Sequence, residues 1–129
     1  MTTGNLLAGV LQIAIPVKDA DRASAFYAEK LGMQLLFKPS PSMAFLQCGD
    51  VRVYLEAKPG GGEAGGNAMI YFRTTDIDGA QASFKERGVE IQESAHVIAR
   101  LPDREVWLMW IRDSESNLLG VMQEKPATR

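Results

Sequence analysis

The apolar pattern of residues 10–17 has a period of two. Ile13, Ile15 and Val17 share one face, and Gln12, Ala14 and Pro16 share the other, which predicts a strand. Pro16 has no N–H to donate, so the strand ends near it or lies at a sheet edge. The period then changes. Asp19 or Asp21 can cap a helix whose apolar stripe runs Ala23, Phe26, Tyr27 and Lys30/Leu31, and Gly32 is positioned to stop it. A strand is expected at 33–39, a turn at Ser-Pro-Ser, and a hairpin of 43–48 and 51–57 around Gly49-Asp50.

The pattern restarts after residue 66. A strand at 68–74 leads to a helix with Ile77, Ala80 and Phe84 inward and Gly88 as its stop, then to strands at 89–93, 106–112 and 118–123. Asp19, Asp21 and Gly32 recur as Asp76, Asp78 and Gly88, within one residue of a common offset. Such repetition implies two similar βαβββ modules packed together, at about 9–58 and 67–124, in one domain spanning 1–129. Residues 59–66 (P-G-G-G-E-A-G-G) form a Gly-rich linker between them. A phosphate-cradling loop would need Lys-Ser/Thr and a helix after it, and neither follows. The stretch 94–105, which holds the only histidine, reads as a loop, and the tail after Glu124 as a frayed end.

Composition narrows the function classes. Of 129 residues, 46% are hydrophobic and 23% charged, and the net charge is −2 without a Lys/Arg cluster, so neither a nucleic-acid nor an anionic-membrane surface is expected. No apolar run is long enough to span a bilayer, and the start (M-T-T-G-N-L-L-A) lacks the basic region of a signal peptide. Cys48 has no cysteine to pair with and lies in an apolar stretch, which fits a buried structural thiol in a reducing cytoplasm.

Three segments carry a family resemblance: I-P-V-K-D-A-D-R-A-S-A-F-Y-A-E-K-L-G-M, then Y-F-R-T-T-D-I-D-G-A, then W-I-R-D-S-E-S-N-L-L-G-V. Together, over residues 10–124, they resemble the vicinal oxygen chelate superfamily of glyoxalase I, bleomycin and fosfomycin resistance proteins and extradiol dioxygenases. The resemblance implies an α+β fold in which two tandem βαβββ modules make a cupped, half-open mixed β-barrel with helices outside. It also implies a metal or ligand site on the concave face. The family's ligand positions match Gln12, then Tyr54 (or Glu56 if the register slips by two), then Met69 and Gly120, and the dioxygenase tyrosine matches Trp110. Gln is a weak ligand, Met thioether is soft and Gly offers no side chain, so a divalent site of three hard or borderline donors looks degenerate. Among the matched positions, Gln12 and Glu56 remain as weak metal candidates.

What remains on the expected concave face is apolar and aromatic: Tyr54, Met69, Tyr71, Leu108, Trp110 and Met122, with Gly120 adding floor space. These residues either line a pocket for a flat organic molecule or fill the sheet's interior as core. His96 is either a base or ligand over the cup or a loop residue bonded to backbone. Arg100 and Arg104 either clamp an anionic ligand or pair with Asp103 and Glu105. Arg73 has inward parity, whereas Trp107 has the opposite parity and packs under a helix or in an interface. The expected function is therefore sequestration of a small, partly aromatic molecule by a cytoplasmic homodimer, without a cofactor. The alternatives are a divalent-metal-dependent lyase, isomerase or dioxygenase using Gln12, Glu56 and His96, and a module that binds another protein. No catalytic residue is assigned.

Overall fold

The computed structural model describes residues 10–57 and 69–127, and the expected Gly-rich linker at 59–66 lies outside them. The first module runs β1 (Gln12–Pro16), α1 (Ala20–Ala25), a π-helical turn (Phe26–Lys30), β2 (Gln34–Ser40), β3 (Met43–Cys48) and β4 (Val51–Glu56). The second runs β5 (Ile70–Arg73), α2 (Ile77–Glu86), β6 (Glu90–Arg100), β7 (Arg104–Arg112) and β8 (Leu118–Pro126). Each module makes a four-stranded sheet, ordered β1-β4-β3-β2 and β5-β8-β7-β6. In each sheet the first strand pairs parallel to the last, and the other pairings are antiparallel. This is the expected α+β architecture of two βαβββ modules. It places the helices on one face of each sheet and leaves the other face open.

The repeat is visible in the backbone. Asp19 and Asp76 both cap their helices, accepting from Arg22 N and Gly79 N, so Asp19 rather than Asp21 is the cap of α1. Gly32 and Gly88 stop the two helical segments at φ of 80° and 77°, where a Cβ would be strained. The π-helical turn is closed by Leu31 N donating to Phe26 O. The widened turn buries the neighbouring rings of Phe26 and Tyr27 together, edge to face at 5.8 Å between centroids. α1 packs on β3 and β4, and α2 packs on β6, β7 and β8. Ile15, Leu46, Val53, Leu55, Ile77, Met109, Ile111 and Leu119 are buried in one continuous core beneath them.

Two strand ends differ from the sequence reading. β6 continues through Arg100, so His96 lies on a strand and only Leu101–Asp103 forms the turn. The pairing of β6 with β7 shifts register three times, and each bulge breaks the period-two pattern that would have marked a strand. β8 likewise continues to Pro126, held by pairing with Arg104–Val106, where a frayed tail was expected. The edge strand β1 does end at Pro16, as its missing donor requires.

Candidate functional site

On the open face of the first sheet the register sets side chains in rows. One row reads Gln12, Arg52, Gln47 and Gln34, and the next reads Ala14, Tyr54, Phe45 and Phe37. The three rings of the second row stack across the strands, with centroids 4.6 and 4.8 Å apart and planes within 8° and 18°. Arg52 Nε donates to Gln12 Oε1 at 2.7 Å, and the guanidinium carbon lies 5.8 Å from the Phe45 ring centroid. Tyr54 OH donates to Glu56 Oε2 at 2.9 Å, and burial followed by this bond raises the phenol above its ordinary range. Gln12, Tyr54 and Glu56 thus share one face, but the side chain that Gln12 engages is Arg52. The sequence reading gave Arg52 no role. The signal was available in its parity, two residues before Tyr54 on the same strand.

The open face of the second sheet follows the same logic. Tyr71, Gly120, Trp110 and Glu93 form one row, and Arg73, Met122, Leu108 and His96 form the next. The rings of Tyr71 and Trp110 lie 5.4 Å apart and close over Gly120, where a Cβ would come within 2.7 Å of Tyr71 Cδ2 and 3.1 Å of Trp110 Cζ3. Gly120 therefore does not add empty floor: the missing side chain is what lets the two rings settle against the backbone. A cleft of about 540 Å³ opens beside them, lined by Tyr71, Arg73, Thr74, Met122, Gln123 and Glu124. His96 Nδ1 lies 2.8 Å from the Ser94 carbonyl, which can only accept, so a neutral ring carries its proton there.

The two flanking arginines are already paired. Arg100 bonds Glu105, whose other oxygen accepts from Trp107 Nε1 at 3.1 Å on the helix side of the sheet. Arg100 therefore lies away from the open face. Arg104 pairs with Asp103 at 3.0 Å, and its Nε, which lacks a hydrogen-bond acceptor, lies 3.4 Å from Glu124. Trp107 packs against the core as its parity implied, with Lys125 Nζ 4.1 Å above its ring centroid.

The D-S-E-S-N turn between β7 and β8, read in the sequence only as part of a family frame, joins the modules. Asp113 accepts from Glu115 N, Asn117 N, Asn117 Nδ2 and Tyr27 OH at 2.6–2.9 Å. Glu115 has a fully buried side chain that accepts from Lys18 N, Asp19 N, Arg22 Nε and Arg22 Nη2 at the start of α1. Burial alone would raise the Glu115 carboxyl, but its bonds to Arg22, Ser114 and Lys18 N hold it at about 2. Asn117 Nδ2 also reaches the Pro16 carbonyl at 3.1 Å, which ties the end of β1 to the same turn.

A divalent cation does not fit the matched ligand positions. The Gln12 oxygen is committed to a guanidinium, whose charge would oppose a cation at the same atom. Met69 is a half-exposed thioether, and the Gly120 position is covered by the Tyr71 and Trp110 rings. Among the described residues no three His, Cys, Asp or Glu side chains are gathered as a cation would require.

Two βαβββ modules, each a four-stranded mixed sheet with its helix on one face, define the class of fold. Within that class, the chain belongs to the Glyoxalase/Bleomycin resistance protein/Dioxygenase superfamily, whose family model matches residues 9–111. Among solved structures it is similar to TnmS3, an antibiotic binding protein from Streptomyces sp. CB03234, with 23% identity, a TM-score of 0.74, and 95% of this chain and 100% of that one covered. It is also similar to lactoylglutathione lyase from Agrobacterium tumefaciens, with 20% identity, a TM-score of 0.73, and 92% and 96% of the two chains covered. A superfamily member from Sphaerobacter thermophilus DSM 20745 shares 25% identity at a TM-score of 0.72, over 93% and 100% of the chains. Among curated protein sequences none matches.

Proposed function

We propose that this protein binds a small, partly aromatic organic molecule on the open sheet faces and sequesters it, without a divalent ion. The observation that carries the reading is the state of the ligand positions. Gln12 is held by a guanidinium and Gly120 is roofed by two rings, while Phe37, Met69 and Tyr71 remain 53%, 48% and 51% exposed. Large apolar side chains left without cover on the open sheet faces mark a binding surface more often than a solvent face. The likeness to an antibiotic binding protein supports the same reading at the level of fold. A homodimer would bring two such faces together and complete the enclosure, and the cytoplasm is the proposed location.

The test is a tryptophan-fluorescence titration against a panel of planar aromatic compounds, repeated on Trp110→Phe. Saturable quenching by at least one compound, lost in the variant while Trp107 still emits, is the expected result. Equilibrium dialysis against Ni²⁺, Zn²⁺ or Mn²⁺ is expected to leave less than one ion per chain. Stoichiometric metal that disappears in Gln12→Ala and Glu56→Ala would overturn the proposal in favour of a metal-dependent lyase, isomerase or dioxygenase.

A further inference from the structure

We infer that Arg52 serves the cup as a fixed organic cation and, with Gln12, anchors the oxyanion of a planar aromatic ligand. The inference rests on the small-molecule reading above and narrows its ligand class to aromatic carboxylates, sulfonates and similar anions.

The first argument is one of donors and acceptors. Arginine carries only donors, so the Gln12 atom that meets Arg52 Nε at 2.7 Å must be the amide oxygen. That assignment leaves the Gln12 NH₂ as a donor beside the guanidinium. Neither Nη of Arg52 meets an acceptor among the described residues, and no carboxylate among them pairs with it. Glu56, the acidic residue on the same face of β4, lies four residues along the strand, roughly 13 Å away, and its carboxylate accepts from Tyr54. Among the described residues, this end of the face therefore presents the N–H groups and positive charge of Arg52 and Gln12 with no carboxylate paired to them, the amide oxygens of Gln47 and Gln34 in the same row being neutral. An oxyanion is the group that satisfies it, in the bidentate geometry that a guanidinium fork favours.

The second argument is preorganisation. Gln12 holds Nε and the Phe45 ring centroid lies 5.8 Å from the guanidinium carbon, so less side-chain freedom remains to be lost on binding than for an untethered surface arginine. The third concerns the neighbouring row. The rings of Phe37, Phe45 and Tyr54 stack face to face across the strands, so the stack leaves edges, the positive end of the aromatic quadrupole, for a ligand to meet. An electron-rich ring lies favourably across such edges. One two-residue step along the strand, about 7 Å, separates the ring row from the Gln12–Arg52 row. A naphthalene-sized body with an anionic substituent spans that step.

The experiment pairs two dyes of one skeleton, anionic anilinonaphthalenesulfonate and neutral phenylnaphthylamine, titrated by fluorescence at neutral pH and low salt. The native protein should bind the sulfonate more tightly than the neutral dye. Arg52→Gln should weaken the sulfonate roughly ten- to a hundredfold and leave the neutral dye unchanged. Gln12→Glu, which sets a carboxylate on the guanidinium without removing it, should do the same, so the test survives if one variant fails to fold. Circular dichroism confirms that each titrated variant is folded. If folded variants lose both dyes equally, or neither, Arg52 is no anion anchor and the inference falls while the small-molecule reading stands. If the native protein binds neither dye and no compound of the aromatic panel, both fall together.

Discussion

The hydroxyl of Tyr27 and the carboxylate of Asp113, 86 positions apart in the chain, meet at 2.6 Å with both residues buried. The bond runs from the helical segment of the first module to the turn closing the second, so it links the two repeats through a polar contact. Burial and the nearby Asp113 charge push the Tyr27 phenol well above its ordinary range, which favours the protonated, donating form.

Replacing Tyr27 with Phe removes one donor from a buried carboxylate that keeps three others. We expect a loss of about 1.5–2 kcal/mol, read as a lower midpoint in urea with an unchanged slope. A variant as stable as the native chain would show that the joint contributes nothing.

Glu115 makes stability depend on pH. Its folded-state value of about 2 lies below the ordinary 4.5, so its contribution is fully present above the unfolded value and is lost as pH falls through the folded one. The native protein should therefore lose stability between about 4.5 and about 2, in part through Glu115. In Glu115→Gln that decline should flatten, and stability at neutral pH should drop by about 2 kcal/mol as the donors of Arg22 and Lys18 lose their charged acceptor. Parallel pH profiles for the two proteins would contradict the assignment.

Gly120→Ala places a methyl group 2.7 Å from the Tyr71 ring and 3.1 Å from that of Trp110. The rings must part. We expect a cost of about 1–2 kcal/mol, shifted Trp110 emission and altered affinity for any aromatic ligand of the cup. Unchanged emission would mean that the rings do not lean on the glycine.

Ser116 is the one described non-glycine residue with a positive φ, 68°, in the turn that carries Asp113, Glu115 and Asn117. The left-handed conformation costs an L-residue roughly 1–2 kcal/mol, and glycine relieves that while losing roughly 0.5–1 kcal/mol of unfolded-state entropy. Ser116→Gly should thus raise stability by about 0.5 kcal/mol, seen as a higher melting temperature. A lower melting temperature would show that the serine side chain holds the turn.

Much of the fold was legible because its signals are local. Asp19, Asp76, Gly32 and Gly88 mark the helix ends by capping and backbone conformation, and the alternation of Ile13, Ile15 and Val17 fixes which face of β1 turns inward. β6 was legible only as far as Glu93, because bulges up to Ala99 erase the alternation beyond it, and its partner supplies the order that this part of its sequence lacks. In the site, the weak donor character of Gln12, Met69 and Gly120 follows from residue type alone, but what these positions do in the fold is a tertiary matter. That Gln12 meets Arg52 depends on a parallel pairing across 40 residues. That two rings roof Gly120 depends on three strands coming into register.

The three bulges of β6 have a further effect at the outer rim of the second sheet. This strand is long, open along one side and carries the exposed Ile98, features that would otherwise invite a passing chain to add itself as another strand. Each register shift interrupts the row of backbone groups that such a chain would need to match. An incoming strand would find only short stretches in step, so the irregularity that hid the second half of β6 in the sequence also guards the folded protein against runaway polymerisation along that rim.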